Sequence, residues 1–229
     1  MTLNTIRTGS DGNCYILTSD GGKHLILDAG VVLSEIKKGL NFDVGNVDGC
    51  LITHSHLDHS KTAMWIKAMG IPVFEPYKDT QHKRLKTKLG DFQVESFDVP
   101  HNGTENRAFL INVDGTTILY ATDFEYIGYD LSSKNINVML IEMNYQKDRI
   151  DGNSHMTHVV LGHAEEQTTI EVIKHNMKHL RTVILCHMSN SGALDRESAM
   201  ERIKGAIPAY IEVEYAKANT VVDLSEIPF

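Results

Sequence analysis

His54-Ser55-His56-Leu57-Asp58-His59 decides how this chain reads. The segment packs three imidazoles and a carboxylate directly behind a short apolar strand, residues 50–53. In extended backbone, residues two apart point the same way, so His54 and His56 can grip one ion together. Asp58 and His59 come where the chain turns into a helix expected over residues 60–69, and there they can face a second ion. Imidazole and carboxylate donors suit zinc, and also manganese or iron. The competing reading is a polar loop with coincidental histidines. The density of the motif and its place behind a strand weigh against that.

Further along the chain one rule repeats. An apolar run ends, and a ligand-type residue sits just past it. Val99-Pro100 is followed by His101, residues 118–122 by Asp123, and residues 183–186 by His187. Strand ends are where α/β proteins usually build their sites. Each of these residues alone would pass for a surface or capping group, but together, beside the first motif, they read as ligands.

The remaining pattern alternates short β-like runs with helical ones. Cys14–Thr18 and His24–Leu27 form a hairpin across Ser19-Asp20-Gly21-Gly22, and Asp28-Ala29-Gly30 closes the second strand in a turn. Strands are expected at 71–74, 92–99, 108–113, 117–121, 138–141 and 183–186, with Asp114-Gly115 as a tight turn. Helices are expected at 31–39, 60–69, 164–178 and 195–206. This order predicts an α/β fold with sheets covered by helices, in a single domain over residues 1–229.

Bulk properties exclude several classes. At 229 residues the chain can bury a substantial core, and 41% hydrophobic with 23% charged residues is ordinary for a soluble globular protein. No apolar run approaches the ~20 residues of a membrane span, and the first ten residues do not resemble a signal peptide. Three cysteines are too few and uneven for a disulfide framework, so the expected compartment is cytoplasmic. A net charge of −8 argues against a broadly basic coat for nucleic acid but leaves room for a local basic patch.

The series His54-x-His56-x-Asp58-His59, then a lone His, a lone Asp and a lone His, resembles the signature of the metallo-β-lactamase superfamily over nearly the whole chain. Asp28-Ala29-Gly30 is similar to that superfamily's early Asp-x-Gly turn. Gly9-Ser10-Asp11-Gly12-Asn13-Cys14 is similar to the opening of a branch that includes phosphonate-pathway phosphodiesterases and exonuclease-like proteins; ribonuclease Z belongs to the same superfamily. The resemblance implies an αβ/βα four-layer sandwich with the site along one edge. It places His54, His56 and His101 on a first metal, Asp58, His59 and His187 on a second, and Asp123 between them. Asp58 is thereby both ligand and catalytic residue. Di-iron flavoproteins of this fold carry Glu where His56 stands, and true β-lactamases lack the bridging Asp. Redox chemistry and an antibiotic substrate are therefore disfavoured. The implied cofactors are two divalent ions, Zn²⁺ first and Mn²⁺ as the alternative, able to clamp a hydroxide for in-line attack on phosphorus.

His163 is the second catalytic candidate. Gly162-His163 is expected to open the 164–178 helix, whose free N–H groups and dipole suit a phosphate, and a histidine there can protonate a leaving oxygen. Phosphodiesterase branches carry a comparable Gly-His, followed by Leu-Ser or Ser-Thr, whereas here Ala164-Glu165 follows. The other candidates read as background: His155 and His158 as a solvated loop, His175 and His179 as a wet helix face, His24 and His82 as surface, Cys186 as core. Asp28 reads as a supporting group, and Glu142 as a strand-end acid of no particular role. Lys78, His82, Lys83, Arg84, Lys86 and Lys88 form a basic segment, read as a solvated helix face that could instead meet phosphates.

The expected activity is a metal-dependent phosphodiesterase acting on a nucleotide, cyclic ones included, or on a short nucleic acid, away from membranes. A homodimer is the assembly considered. The alternatives are a lactone or thioester hydrolase of the same fold, and a metal-binding module without activity.

Overall fold

The computed structural model describes residues 1–150, 160–189 and 193–225. Its first sheet runs in the order β13-β1-β2-β3-β4-β5. The strands are β1 (Thr2–Arg7), β2 (Cys14–Thr18), β3 (His24–Leu27), β4 (Val47–Leu51), β5 (Val73–Phe74) and β13 (Thr220–Asp223). The second sheet runs β12-β11-β10-β9-β8-β7-β6. It comprises β6 (Arg84–Leu89), β7 (Phe92–His101), β8 (Thr104–Val113), β9 (Thr116–Ala121), β10 (Val138–Glu142), β11 (Thr182–Cys186) and β12 (Glu212–Tyr215). The main helices are α1 (Leu33–Gly39), α2 (Leu57–Ser60), α3 (Ala63–Ala68), α4 (Glu166–His175) and α5 (Arg196–Ala206).

Three apolar clusters set the layers. Leu17, Leu25, Leu27 and Leu51 from the first sheet meet Phe109, Tyr120, Leu140 and Ile184 from the second, so the sheets pack face to face. On the outer face of the first sheet, Ile16, Ile26 and Ile52 pack against Ile36 of α1 and Ile66 of α3. On the outer face of the second, Leu119, Ile141 and Leu185 pack against Ile170 of α4 and Ile203 of α5. Alternate residues of each strand thus feed two different cores, as a two-residue side-chain period requires. The result is the four-layer αβ/βα sandwich.

Several boundaries differ from the sequence reading. The 60–69 helix is two short helices. Between them Thr62 N donates to Ala29 O (2.9 Å) and its hydroxyl to Val31 O, so the chain is pinned to the β3 turn rather than continuing one helix. The basic segment is not a helix face. Arg84–Leu89 is an edge strand whose exposure alternates, with Arg84, Lys86 and Lys88 outward. β1, β12 and β13 are not expected from the sequence because they are short and half polar, and only their pairing makes them strands. The 164–178 helix begins at Glu166 and ends at His175, so His179 lies on a separate 3₁₀ turn. His175 is exposed, as expected, whereas His24 is largely buried against Thr18 and Asp43. His155 and His158 fall outside the described residues. Asp114 and Gly115, at φ 51° and 74°, make the expected two-residue hairpin turn.

Candidate metal centre

Strand direction gathers the ligand-type residues. β9, β10 and β11 are mutually parallel, and β7 is antiparallel to β8, which is antiparallel to β9. The C-terminal ends of β7, β9, β10 and β11 therefore lie on one edge, carrying His101, Asp123, Glu142 and His187. β4 brings His54 to the same place from the first sheet. Asp28, Asp123 and His187 all have left-handed backbone, at φ 56°, 54° and 48°. Non-glycine residues in that region cost energy and cluster at functional sites.

The His54–His59 loop is held from below by the two early turns. Asn13 N donates to Asp58 O (2.7 Å), Ala29 N to His59 O (2.7 Å) and Gly30 N to Asn13 O (2.9 Å). A Cβ at Gly30 would sit 1.6 Å from the Asp58 carbonyl oxygen, so only glycine permits this approach. Asp28, fully buried, accepts from His59 Nδ1 (2.7 Å), Thr53 N (2.8 Å), the Thr53 hydroxyl and the Tyr120 hydroxyl (2.5 Å). These bonds turn His59 Nε2 toward the cluster.

Among the described residues three overlapping groups of donors converge there, all sharing Asp123: His54, His56, His101 and Asp123; Asp58, His59, Asp123 and His187; and Asp123, Glu142, His163 and His187. In the first, His54 Nε2 lies 2.9 Å from His56 Nδ1, His101 Nε2 lies 3.4 Å from the same atom, and Asp123 Oδ2 lies 3.5 Å from His54 Nε2. The second nitrogens are committed elsewhere. His101 Nδ1 donates to Gly162 O (2.6 Å). The Thr53 hydroxyl, already donating to Asp28, accepts from His54 Nδ1 (3.0 Å). The inward Nε2 atoms of His54 and His101 are then the ones left to offer a lone pair to an ion. Burial, reinforced by His59, holds His54 well below the usual histidine range. Burial and His101 lower His56 as well. Facing lone pairs repel one another unless a cation lies between them, so this donor set fits a metal ion.

In the second group, Asp123 Oδ2 and Asp58 Oδ2 stand 3.2 and 3.4 Å from His59 Nε2. Burial pushes the His59 pKa down, but the Asp123 and Asp28 carboxylates carry it well above the usual range, the mark of a carboxylate-rich pocket that favours a cation. Burial works against charge on Asp123 too, yet His187 and His59 hold it well below the carboxylate range. Among the described residues, His187 Nε2 is buried with no hydrogen-bond partner, 4.0 Å from Asp58 Oδ2. An orphaned buried imidazole nitrogen beside a carboxylate suits a second ion.

Glu142 is the residue that sequence reading undervalues. Fully buried, it accepts from His163 Nδ1 (2.7 Å), His187 Nδ1 (2.9 Å), Phe124 N (3.1 Å) and Ala164 N (3.2 Å). His163 stacks on His187, with ring centroids 5.2 Å apart, and meets His101 edge-on at 5.3 Å. It lines a cavity of about 310 Å³ together with His56, Asp58, His101, Asp123 and His187. Burial would lower its pKa, but the Glu142 carboxylate raises it to about 9. His163 does not open the helix, however. α4 starts at Glu166, and the Glu165 side chain caps it by accepting from Gln167 N (3.0 Å), while Glu166 N donates to Tyr145 O (2.9 Å). A carboxylate cap disfavours the phosphate expected there, so His163 enters the site through Glu142 instead.

A profile described as Metallo-beta-lactamase superfamily matches residues 7–122, half of the sequence, and the chain belongs to that superfamily. It is 22% identical to the exodeoxyribonuclease WalJ of Streptococcus pneumoniae, with 86% of this chain and 85% of that protein covered. It is 25% identical to the exodeoxyribonuclease YycJ of Bacillus anthracis, where the match spans 65% of this chain and 64% of that protein. Among solved structures, the metallo-β-lactamase fold protein YhfI from Bacillus subtilis superposes with a TM-score of 0.73. That match is 17% identical and covers 97% of this chain and 99% of that one. Among the described residues, no helix is long and apolar enough to cross a membrane.

Proposed function

We propose that this chain is a dinuclear metal-dependent phosphodiesterase acting on a nucleotide or nucleic acid. His54, His56 and His101 hold one ion, Asp58, His59 and His187 the other, and Asp123 serves both. Zinc suits this imidazole and carboxylate set best, with manganese as the alternative. When bound, the ions supply Lewis acidity toward the phosphoryl oxygens and lower the pKa of a nucleophilic water. The chain's own groups do the rest. Asp28 and Gly162 O fix the rings of His59 and His101, and Asp58 and Asp123 keep their charge at the reaction edge. His163, protonated at neutral pH, gives a proton to the departing oxygen, which leaves with it as the alcohol, and is reprotonated from water before the next turnover.

The observation that carries this reading is the Glu142–His163 pair on the wall of the metal cavity. A thioester releases a thiolate and needs no proton, whereas an alkoxide leaving a phosphodiester does. The exodeoxyribonuclease relatives support the same substrate class. The test is a turnover screen of the chain reloaded with Zn²⁺ or Mn²⁺, with metal content read by elemental analysis. Bis-p-nitrophenyl phosphate, a cyclic nucleotide, single-stranded DNA, RNA, a lactone and a thioester would be compared. Two equivalents of metal are expected, with phosphodiester turnover that a chelator and Asp123→Ala both remove. Fewer than one equivalent, or turnover confined to the lactone or thioester, would sink the proposal.

A further inference from the structure

Beyond the metal cavity the surface continues as a charged track. A second cavity of about 530 Å³ shares His101 and Thr104 with the first and reaches Lys83, Tyr126 and Tyr129. The Arg84 guanidinium lies over the Tyr129 ring, 4.5 Å from its centroid, and fixes the far wall. Past Arg84 a third cavity of about 240 Å³ is lined by Lys86, Glu95 and Lys134. The second cavity is lined from β7 and β8 and the third from β6, β7, β8 and β9, near the sheet edge where β6, among the described residues, pairs with β7 alone.

The middle cavity sets Lys83 against Asp98 and Glu105, and the charge turns opposite to that of the chain toward β6. Lys83, Arg84, Lys86, Lys88 and Lys134 face the track, against the carboxylates Glu95, Asp98 and Glu105. Glu95 is shared by Arg84 (3.5 Å), Lys86 (3.9 Å) and Lys134 (2.9 Å), which leaves cationic surplus at one spot of a protein with net charge −8. Strand geometry gives the cations a fixed spacing. Arg84, Lys86 and Lys88 are alternate residues, so they project about 6.8 Å apart along one face. The edge is firmly set. Arg107, buried, donates to the carbonyls of Asp79 (2.5 Å), His82 (3.0 Å) and Lys83 (2.9 Å) and ties the start of β6 to β8. Tyr126, 57% exposed, offers a ring at the mouth between the metal cavity and the cations.

We infer that this track binds single-stranded nucleic acid: Arg84, Lys86, Lys88 and Lys134 take the phosphates of the strand leading into the metal centre, and a base near the scissile bond stacks on Tyr126. The inference rests on the phosphodiesterase reading above and narrows its substrate to a strand several nucleotides long. Regular cations beside an exposed aromatic ring are how proteins hold a strand without reading its sequence. A duplex keeps its bases stacked inside and would leave the ring unused.

The test uses the metal-loaded chain and a fluorescent, cleavage-resistant phosphorothioate dT oligonucleotide of about 12 nucleotides, followed by anisotropy across a salt series. Arg84→Ala with Lys86→Ala should lower the log–log salt slope by about 1.4, at about 0.7 per phosphate contact. Lys37→Ala with Lys38→Ala, an equal charge change on α1, should leave the slope as in the wild type. Tyr126→Ala should weaken binding roughly tenfold. Equal slopes in all three proteins would overturn the track, and a duplex of the same length binding as tightly would overturn the single-strand assignment. Turnover of bis-p-nitrophenyl phosphate by the wild type, run alongside, keeps the two levels apart. Its absence refutes the phosphodiesterase reading, and its presence with unchanged slopes refutes the track alone.

Discussion

Replacing Glu142 by glutamine should separate the proton-donating role of His163 from the metal centre. The side chain keeps its shape and its oxygen can still accept from Phe124 N and Ala164 N, but the charge that raises His163 to about 9 is gone. Without it His163 should titrate at ~6.5 or lower, since burial then acts unopposed. At pH 7.5 a group titrating at about 9 is roughly 97% protonated, and one at ~6.5 roughly 9%, a loss of about tenfold in active acid, or ~1.4 kcal/mol. The sign follows from the role. An acid must carry its proton, so the rate falls as pH rises through its pKa, and the alkaline limb should move from about 9 to ~6.5 or below. The same shift makes His163 a source of fold stability that is complete below ~6.5 and lost as pH rises through about 9. The assay compares pH–rate profiles for thymidylyl-thymidine, whose leaving alkoxide needs a proton, and bis-p-nitrophenyl phosphate, whose leaving group does not. Metal is kept saturating, because Glu142 also orients His187 and its loss can weaken metal binding 10–100-fold. An alkaline limb still near 9 in the variant, or equal losses on both substrates, would remove His163 as the acid.

Two further outcomes follow from the supports beneath the metal centre. Gly30→Ala forces a Cβ to within 1.6 Å of the Asp58 carbonyl oxygen, so the loop must shift. A cost of about 3 kcal/mol is expected, read as a fall of roughly 6–12 °C in Tm, and a wild-type melting curve would disprove the close approach. Tyr120→Phe removes one of the bonds that anchor Asp28 behind His59. Chelator competition should show roughly tenfold weaker binding of one metal equivalent, with the other unaffected, and equal affinity for both would remove Tyr120 from the support.

How much of the site is legible in the sequence depends on whether a residue announces its chemistry alone or only in company. The His54–His59 cluster announces itself, because imidazoles two apart in extended chain, with a carboxylate beside them, suit little besides holding an ion. His101, Asp123 and His187 stand out by their position behind apolar runs. Glu142 follows the same rule yet passes for background, since a strand-end acid is common and its partners lie 21 and 45 positions away. Asn13 shows only as part of the Gly9–Cys14 motif, and Tyr120 gives no signal at all, because it is a core aromatic until folding sets it against Asp28. The basic segment does hold a readable cue for its true form: Arg84-Leu85-Lys86-Thr87-Lys88-Leu89 alternates with a period of two, which belongs to a strand and not to a helix face.

The sequence alone determined the family and the set of candidate donors, because metal affinity depends on residue type and local spacing, and both are written in the chain. The tertiary structure decided which nitrogen of each histidine faces inward, which carboxylate raises His163, and that the cations of β6 lie on the same face as the cavities leading from the metal centre. Those facts depend on sheet order and on hydrogen bonds between residues far apart in sequence, and no local pattern encodes them.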